Sequence, residues 1–198
     1  MSLFGSVVNA QALSEKKIEK EAKKQAKVLV KEGWITAPGK LSVEMQQLKS
    51  LQMQNAYDED SNPKFYMGSA QSVGPTYDAA KFQANELAKI EIAGLISEEI
   101  AGIVETNVAN QQLDPGQAAA ITKSVGAYKS FVAAKLTSII SAVDMYKTDK
   151  KTGNTTAQIV VFYNKDEAIK AGIQAVREEL MKESQELGKE LDKLLGTN

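Results

Sequence analysis

Residues 64–74 read Lys-Phe-Tyr-Met-Gly-Ser-Ala-Gln-Ser-Val-Gly, and this stretch decides the fold. It alternates: Phe65, Met67, Ser69, Gln71 and Val73 fall on one side of an extended chain. Tyr66, Gly68, Ala70 and Ser72 fall on the other. The second set is mostly small, so a helix or another backbone can lie close against that side. The pattern predicts a strand, Lys64–Val73, closed by Gly74-Pro75.

A long helix follows, Tyr77 to about Asn110, roughly 50 Å if unbroken at the α-helical rise. Ile92, Ile96, Ile100, Ile103 and Val104 form its main stripe, and Leu87, Ile90 and Leu95 add apolar surface elsewhere. Apolar residues on several sides predict a helix covered on more than one side. Gly94 and Gly102 lie inside it, each costing about 1 kcal/mol against Ala. Close packing against a neighbour is the expected return.

Asp114-Pro115-Gly116 opens another helix, with Asp114 as cap and Pro115 at the first helical position. Its stripe is Ile121, Val125, Tyr128, Val132 and Leu136. Two β-rich runs, Ile139–Thr148 and Thr155–Tyr163, flank the polar segment 149–154 and predict a hairpin. The closing helix is expected from Lys165 to about Leu195, started by Asn164 with Glu167 three residues on.

Upstream, Ser14 to Lys31 predicts a helix capped by Ser14 and ended by Gly33. Ile18, Ala22, Ala26 and Leu29 recur at helical spacing, surrounded by Lys16, Lys17, Lys20, Lys23, Lys24, Lys27 and Lys31. Such a basic amphipathic helix suits an anionic membrane, an acidic partner or plain solvation. The residues Trp34-Ile35-Thr36-Ala37-Pro38-Gly39 predict a break. A second helix, about Ser42 to Ala56, is expected to turn Val43, Leu48, Leu51 and Met45 inward.

The fold class expected is therefore α+β. Three antiparallel strands, Lys64–Val73, Ile139–Thr148 and Thr155–Tyr163, carry the long helices chiefly on one face, after two N-terminal helices. The order is strand, long helix, helix, β-hairpin, helix. The place of the first strand in the sheet is open. Residues 63–198 form the main α+β unit, and 14–62 a helical extension packed on it. Residues 1–13 read either as a signal-peptide remnant, with an A-x-A-like step at Val8-Asn9-Ala10, or as a flexible terminus.

Composition narrows the chemistry. The 198 residues contain no histidine and no cysteine. Thiol nucleophiles, disulfides, zinc–thiolate sites and imidazole acid–base catalysis are thereby excluded for these residues. The net charge of −1 lacks the basic surplus of a nucleic-acid binder. Asp58-Glu59-Asp60-Ser61-Asn62 begins like a calcium loop, but Pro63 stands where the turn glycine belongs and Ser69 where the bidentate Glu belongs. A plain turn is expected there. Glu98-Glu99, Asp58-Glu59-Asp60 and Glu178-Glu179 are the carboxylate groupings a glycan hydrolase would need. Neighbours on a helix point about 100° apart, which favours solvated charges over an acid–base pair. No catalytic, cofactor-binding or metal residue is assigned, and no cofactor is expected.

The strand 65–74 followed by Asp78-Ala79-Ala80-Lys81-Phe82-Gln83-Ala84-Asn85-Glu86-Leu87-Ala88-Lys89 resembles the LPP20-like family of bacterial envelope proteins. A Gly-x-Ala strand leading into an alanine-rich helix, with a later hairpin and closing helix, carries the resemblance. Residues 31–39 look like the N-terminal part of related Bacteroidetes proteins. The resemblance covers 64–163 and implies an exported envelope protein, periplasmic, outer-membrane-associated or secreted, with no catalytic residues to carry over. Named family members are lipoproteins, and the chain lacks the cysteine that lipid acylation needs.

The functional expectation is a non-catalytic envelope protein that binds another protein or itself. Trp34, Tyr57, Tyr66, Tyr77 and Tyr146 are the aromatics available to such a surface. The alternative is a small-ligand or lipid-binding module with a cavity near Gly68, Ser69 and Ala70. Nucleic acid is not an expected partner, and membrane contact is expected to be peripheral at most.

Overall fold

The structure is a computed structural model that describes residues 13–109, 114–127, 129–185, 189 and 191. Its elements run α1 (Glu15–Lys31), β1 (Ile35–Thr36), α2 (Val43–Gln54), β2 (Phe65–Gly74), α3 (Tyr77–Ala109), α4 (Pro115–Ala127), α5 (Lys129–Lys135), β3 (Ile140–Thr148), β4 (Thr155–Asn164) and α6 (Lys165–Glu183). The fold is α+β, built on an antiparallel sheet of order β1-β3-β4-β2.

The β3–β4 hairpin forms as expected, with Thr148 opposite Thr155. β2 takes the open edge beside β4, pairing from Phe65 opposite Asn164 to Gly74 opposite Thr155. The sheet has four strands rather than three. Ile35 and Thr36, expected in a break, pair with Tyr146 and Met145 of β3. Two residues cannot display a period, so the pairing leaves no trace in the pattern.

The long helices lie on one face, as expected, and the N-terminal segment covers the other. On the first face Ile159, Val161 and Tyr163 of β4 join Ala84, Ala88, Ile92, Ile96 and Ile100 of α3, with α4, α5 and α6 beyond. Each Ile buried there contributes roughly 1.5–3 kcal/mol, enough to outweigh the glycines of α3. On the second face Val143, Met145, Val160 and Phe162 meet Ala26, Trp34 and Val43 of the N-terminal segment.

The small residues of β2 do what the alternation predicts. A Cβ at Gly68 would run into the carbonyl of Ala88, so α3 lies directly on the strand backbone. Close approach at Gly102 does not occur, because nothing lies within 4 Å of a Cβ built there. The tight helix–helix contact is instead at Gly172 of α6, against Ile96.

Three further expectations change. Met45 of α2 is exposed, and the residues turned inward are Val43, Gln46, Gln47 and Ser50. The stripe 121–136 belongs to two helices, with Ile121, Val132 and Leu136 buried; Tyr128 and the side chain of Val125 lie outside the described residues. The closing helix ends at an extended Ser184 (φ −154, ψ 117), although Leu191 is still buried, and 192–198 lie outside the described residues. Residues 1–12, where the signal-like step falls, lie outside them too. Asn164 caps α6 as expected, accepting from the Glu167 N–H at 3.1 Å.

Candidate binding surface

The two sides of the sheet are treated differently. Beyond the two residues of β1, the outer edge of β3 is sealed by side chains. The Gln46 amide accepts the Asp144 N–H at 2.7 Å and donates to the Asp144 carbonyl at 3.3 Å, as a neighbouring strand would. Its NH2 also reaches the Leu41 carbonyl at 2.9 Å, and Lys49 Nζ donates to the Ser141 carbonyl at 2.7 Å. Covering an edge in this way blocks pairing with other chains.

The β2 edge receives less of that treatment. The ten residues 65–74 contain no charge and no proline, and their pairing with β4 has no bulge. Charges, prolines and bulges are the usual protections of a strand edge. The Ser69 N–H is held from outside the sheet by the Glu91 carboxylate at 2.6 Å. Because backbone groups alternate sides along an antiparallel strand, Met67, Gln71 and Val73 turn theirs the same way as Ser69. On the second face Ser69, Gln71 and Val73 are exposed, Val73 to 57%.

α3 lines this edge through one row of side chains at i, i+4 spacing: Gln83, Leu87, Glu91, Leu95 and Glu99. Its polar members fasten helix to strand antiparallel. The Ser72 hydroxyl donates to Gln83 Oε1 at 2.5 Å, Ser69 N–H to Glu91, and the Tyr66 hydroxyl to Glu99. Eight helical residues rise about 12 Å while three strand residues advance about 10 Å, so the contacts stay in step. The apolar members, Leu87 and Leu95, are left exposed, as are Ile90 and Phe82, the last to 71%. The expected cover over Leu87, Ile90 and Leu95 is absent among the described residues.

The charged groups elsewhere form latches. Asp144, 7% exposed, accepts from the Tyr77 hydroxyl and Lys81 Nζ, each at 2.5 Å. Burial, then the hydrogen bond to Asp144, pushes the Tyr77 hydroxyl up to about 12. Burial alone would lower Lys81, but its bonds to Asp144 and Tyr77 leave it raised. Tyr66 is driven upward by burial and then by Glu99, whose carboxylate also meets Lys165 at 3.1 Å. Both latches tie α3 to the sheet.

Most of the aromatics singled out in the sequence serve the fold. Trp34 is buried under Lys147, Tyr77 stacks on Tyr146 with centroids 4.5 Å apart, and Tyr57 bridges to Pro63. The carboxylate neighbours separate: Glu178 pairs with Lys135 and Glu179 with Lys182, while Glu99 joins Tyr66 and Glu98 is exposed. Asp58 accepts the N–H groups of Asp60 and Asn62, which makes 58–62 a closed turn. Among the described residues no group of three or more acidic side chains is placed to hold a metal ion.

The space over Gly68 is filled by Ala88 rather than open to a ligand. An open cleft of about 340 Å³ lies on the second face, lined by Glu21, Lys24, Gln25, Leu29, Gln47 and Gln158 among others. No described helix is long and apolar enough to cross a membrane. No family model, curated protein or solved structure matches the chain.

Proposed function

We propose that this chain is a non-catalytic protein of the bacterial cell envelope, exported and LPP20-like, which works by binding protein along the β2 edge. The bound strand comes from a second copy or from another envelope protein. One observation carries the reading: a ten-residue edge strand without charge, proline or bulge, flanked by exposed Leu87 and Leu95. An added strand would gain main-chain hydrogen bonds from β2, each worth about 0.5–1.5 kcal/mol net, and apolar contact from the α3 row. The sealed β3 edge supports the same reading, since the chain has the means to block an edge and at β2 caps the Ser69 N–H alone among the described contacts. The exported, envelope setting rests on the family resemblance of 64–163.

Light scattering on eluting protein tests the self-association half. The chain is expected to dimerise as concentration rises, and Gln71→Lys with Val73→Lys is expected to return it to a monomer with unchanged circular dichroism. A monomer at every concentration would remove the second copy as occupant.

A further inference from the structure

We propose that the outer face of α1 is a docking surface for a membrane bearing anionic lipid headgroups. α1 carries seven lysines against three glutamates, in a chain whose net charge is −1. At 100° per residue all seven lysines fall within an arc of about 120°, opposite the buried Ile18, Ala22 and Ala26. The glutamates lie outside that arc. Every lysine of α1 is exposed, and among the described residues only Lys24 has an ion-pair partner, Glu21 at 4.0 Å. Among the described residues the other six lysines of the arc make no ion pair.

A second observation separates a lipid surface from a soluble polyanion. Val28 and Val30 border the lysine arc on its two sides and are exposed to 52% and 58%. Apolar side chains beside a lysine face are what an interfacial helix lays into the headgroup region. The apolar stripe of α1 is already used against α2 and the sheet, so the attachment is electrostatic, shallow and reversible. α1 packs on α2 on the second-face side of the sheet and α3 lies on the first face, so a molecule docked through α1 turns α3 away from the bilayer.

Flotation with vesicles tests this. Vesicles of phosphatidylglycerol and phosphatidylcholine in equal parts are compared with pure phosphatidylcholine, in low and in high salt. The wild-type chain is expected to float with the mixed vesicles in low salt, and not with pure phosphatidylcholine or in high salt. Each lysine near an anionic surface is worth about fivefold in partition, so Lys20→Gln with Lys27→Gln should weaken binding roughly thirtyfold. Val28→Ser with Val30→Ser should weaken vesicle binding but leave any binding to soluble polyglutamate unchanged. Absence of phosphatidylglycerol-dependent flotation would overturn the proposal. So would equal binding by the Lys20/Lys27 variant, or vesicle binding indifferent to the two valines, the latter marking an acidic-polymer site instead.

Discussion

The carboxylate of Glu91 accepts the Ser69 N–H at 2.6 Å from the side of β2 that faces away from β4. A helix side chain thus occupies the middle of a strand edge that is otherwise unprotected. Glu91 lies between Leu87 and Leu95 in the same row of α3, so the plug and the apolar flank of the edge come from one helix face.

Removing the plug should open the edge. Glu91→Ala is expected to cost about 1 kcal/mol of stability, because the bond is exposed and water replaces it. It should tighten self-association in sedimentation equilibrium. Association weaker than in the wild type would mean that Glu91 belongs to the interface rather than guarding it.

Gly68, Gly172 and Gly102 should rank by what surrounds each of them. Gly68→Ala is expected to cost about 3 kcal/mol, at the upper end of overpacking, because the obstacle is the Ala88 backbone. Gly172→Ala should also cost about 1–3 kcal/mol, since it meets Cγ2 of Ile96, a fully buried side chain that is stiff at χ1. Gly102→Ala has open space and should stabilise by roughly 0.5–1 kcal/mol through helix propensity. Urea unfolding of the three variants gives the order, and a benign Gly68→Ala would contradict the close seat of α3 on β2.

Gln46 should matter more than an ordinary helix glutamine. Gln46→Leu leaves the Asp144 N–H without its partner in a buried setting and is expected to cost about 2–3 kcal/mol in urea unfolding. Exchange at the Asp144 amide should accelerate with it. A neutral substitution would show that the β3 edge does not need this cover.

Stability should fall in alkali. Tyr77, ordinarily 10.0, is raised to about 12, and Lys81 is raised above 10.5. Both hold their protons more tightly folded than unfolded, so their contribution is complete below pH 10 and is lost as pH rises toward 12. Tyr66 is raised in the same direction. Denaturation midpoints across this range should drop less steeply for Tyr66→Phe with Tyr77→Phe, and an unchanged slope would sink the assignment.

What the sequence disclosed follows from the length of each pattern. The alternation of 65–74 and the hairpin 139–163 are long enough to show a period of two, and the pairing of β3 with β4 could be read directly. β1 has two residues and shows no period. The inward Gln46 of α2 looks like a surface residue, because its partner is a strand edge about a hundred positions away. Leu87, Ile90 and Leu95 read as core because apolar residues usually are; nothing local says that their side of α3 stays open. The edge position of β2 was equally hidden, since a strand free of charge and proline also reads as a central strand. The row Gln83, Leu87, Glu91, Leu95 and Glu99 is visible in retrospect as polar and apolar residues alternating at intervals of four.

Amide hydrogen exchange along β2, followed as protein concentration rises, tests strand addition most directly. The outward amides of Met67, Gln71 and Val73 should exchange quickly in dilute protein and become protected as copies, or an added partner, pair with the edge. The inward amides of Gly68, Ala70 and Ser72, turned toward β4, should be protected throughout. Outward amides that stay fast at every concentration, with and without envelope proteins added, would contradict the account.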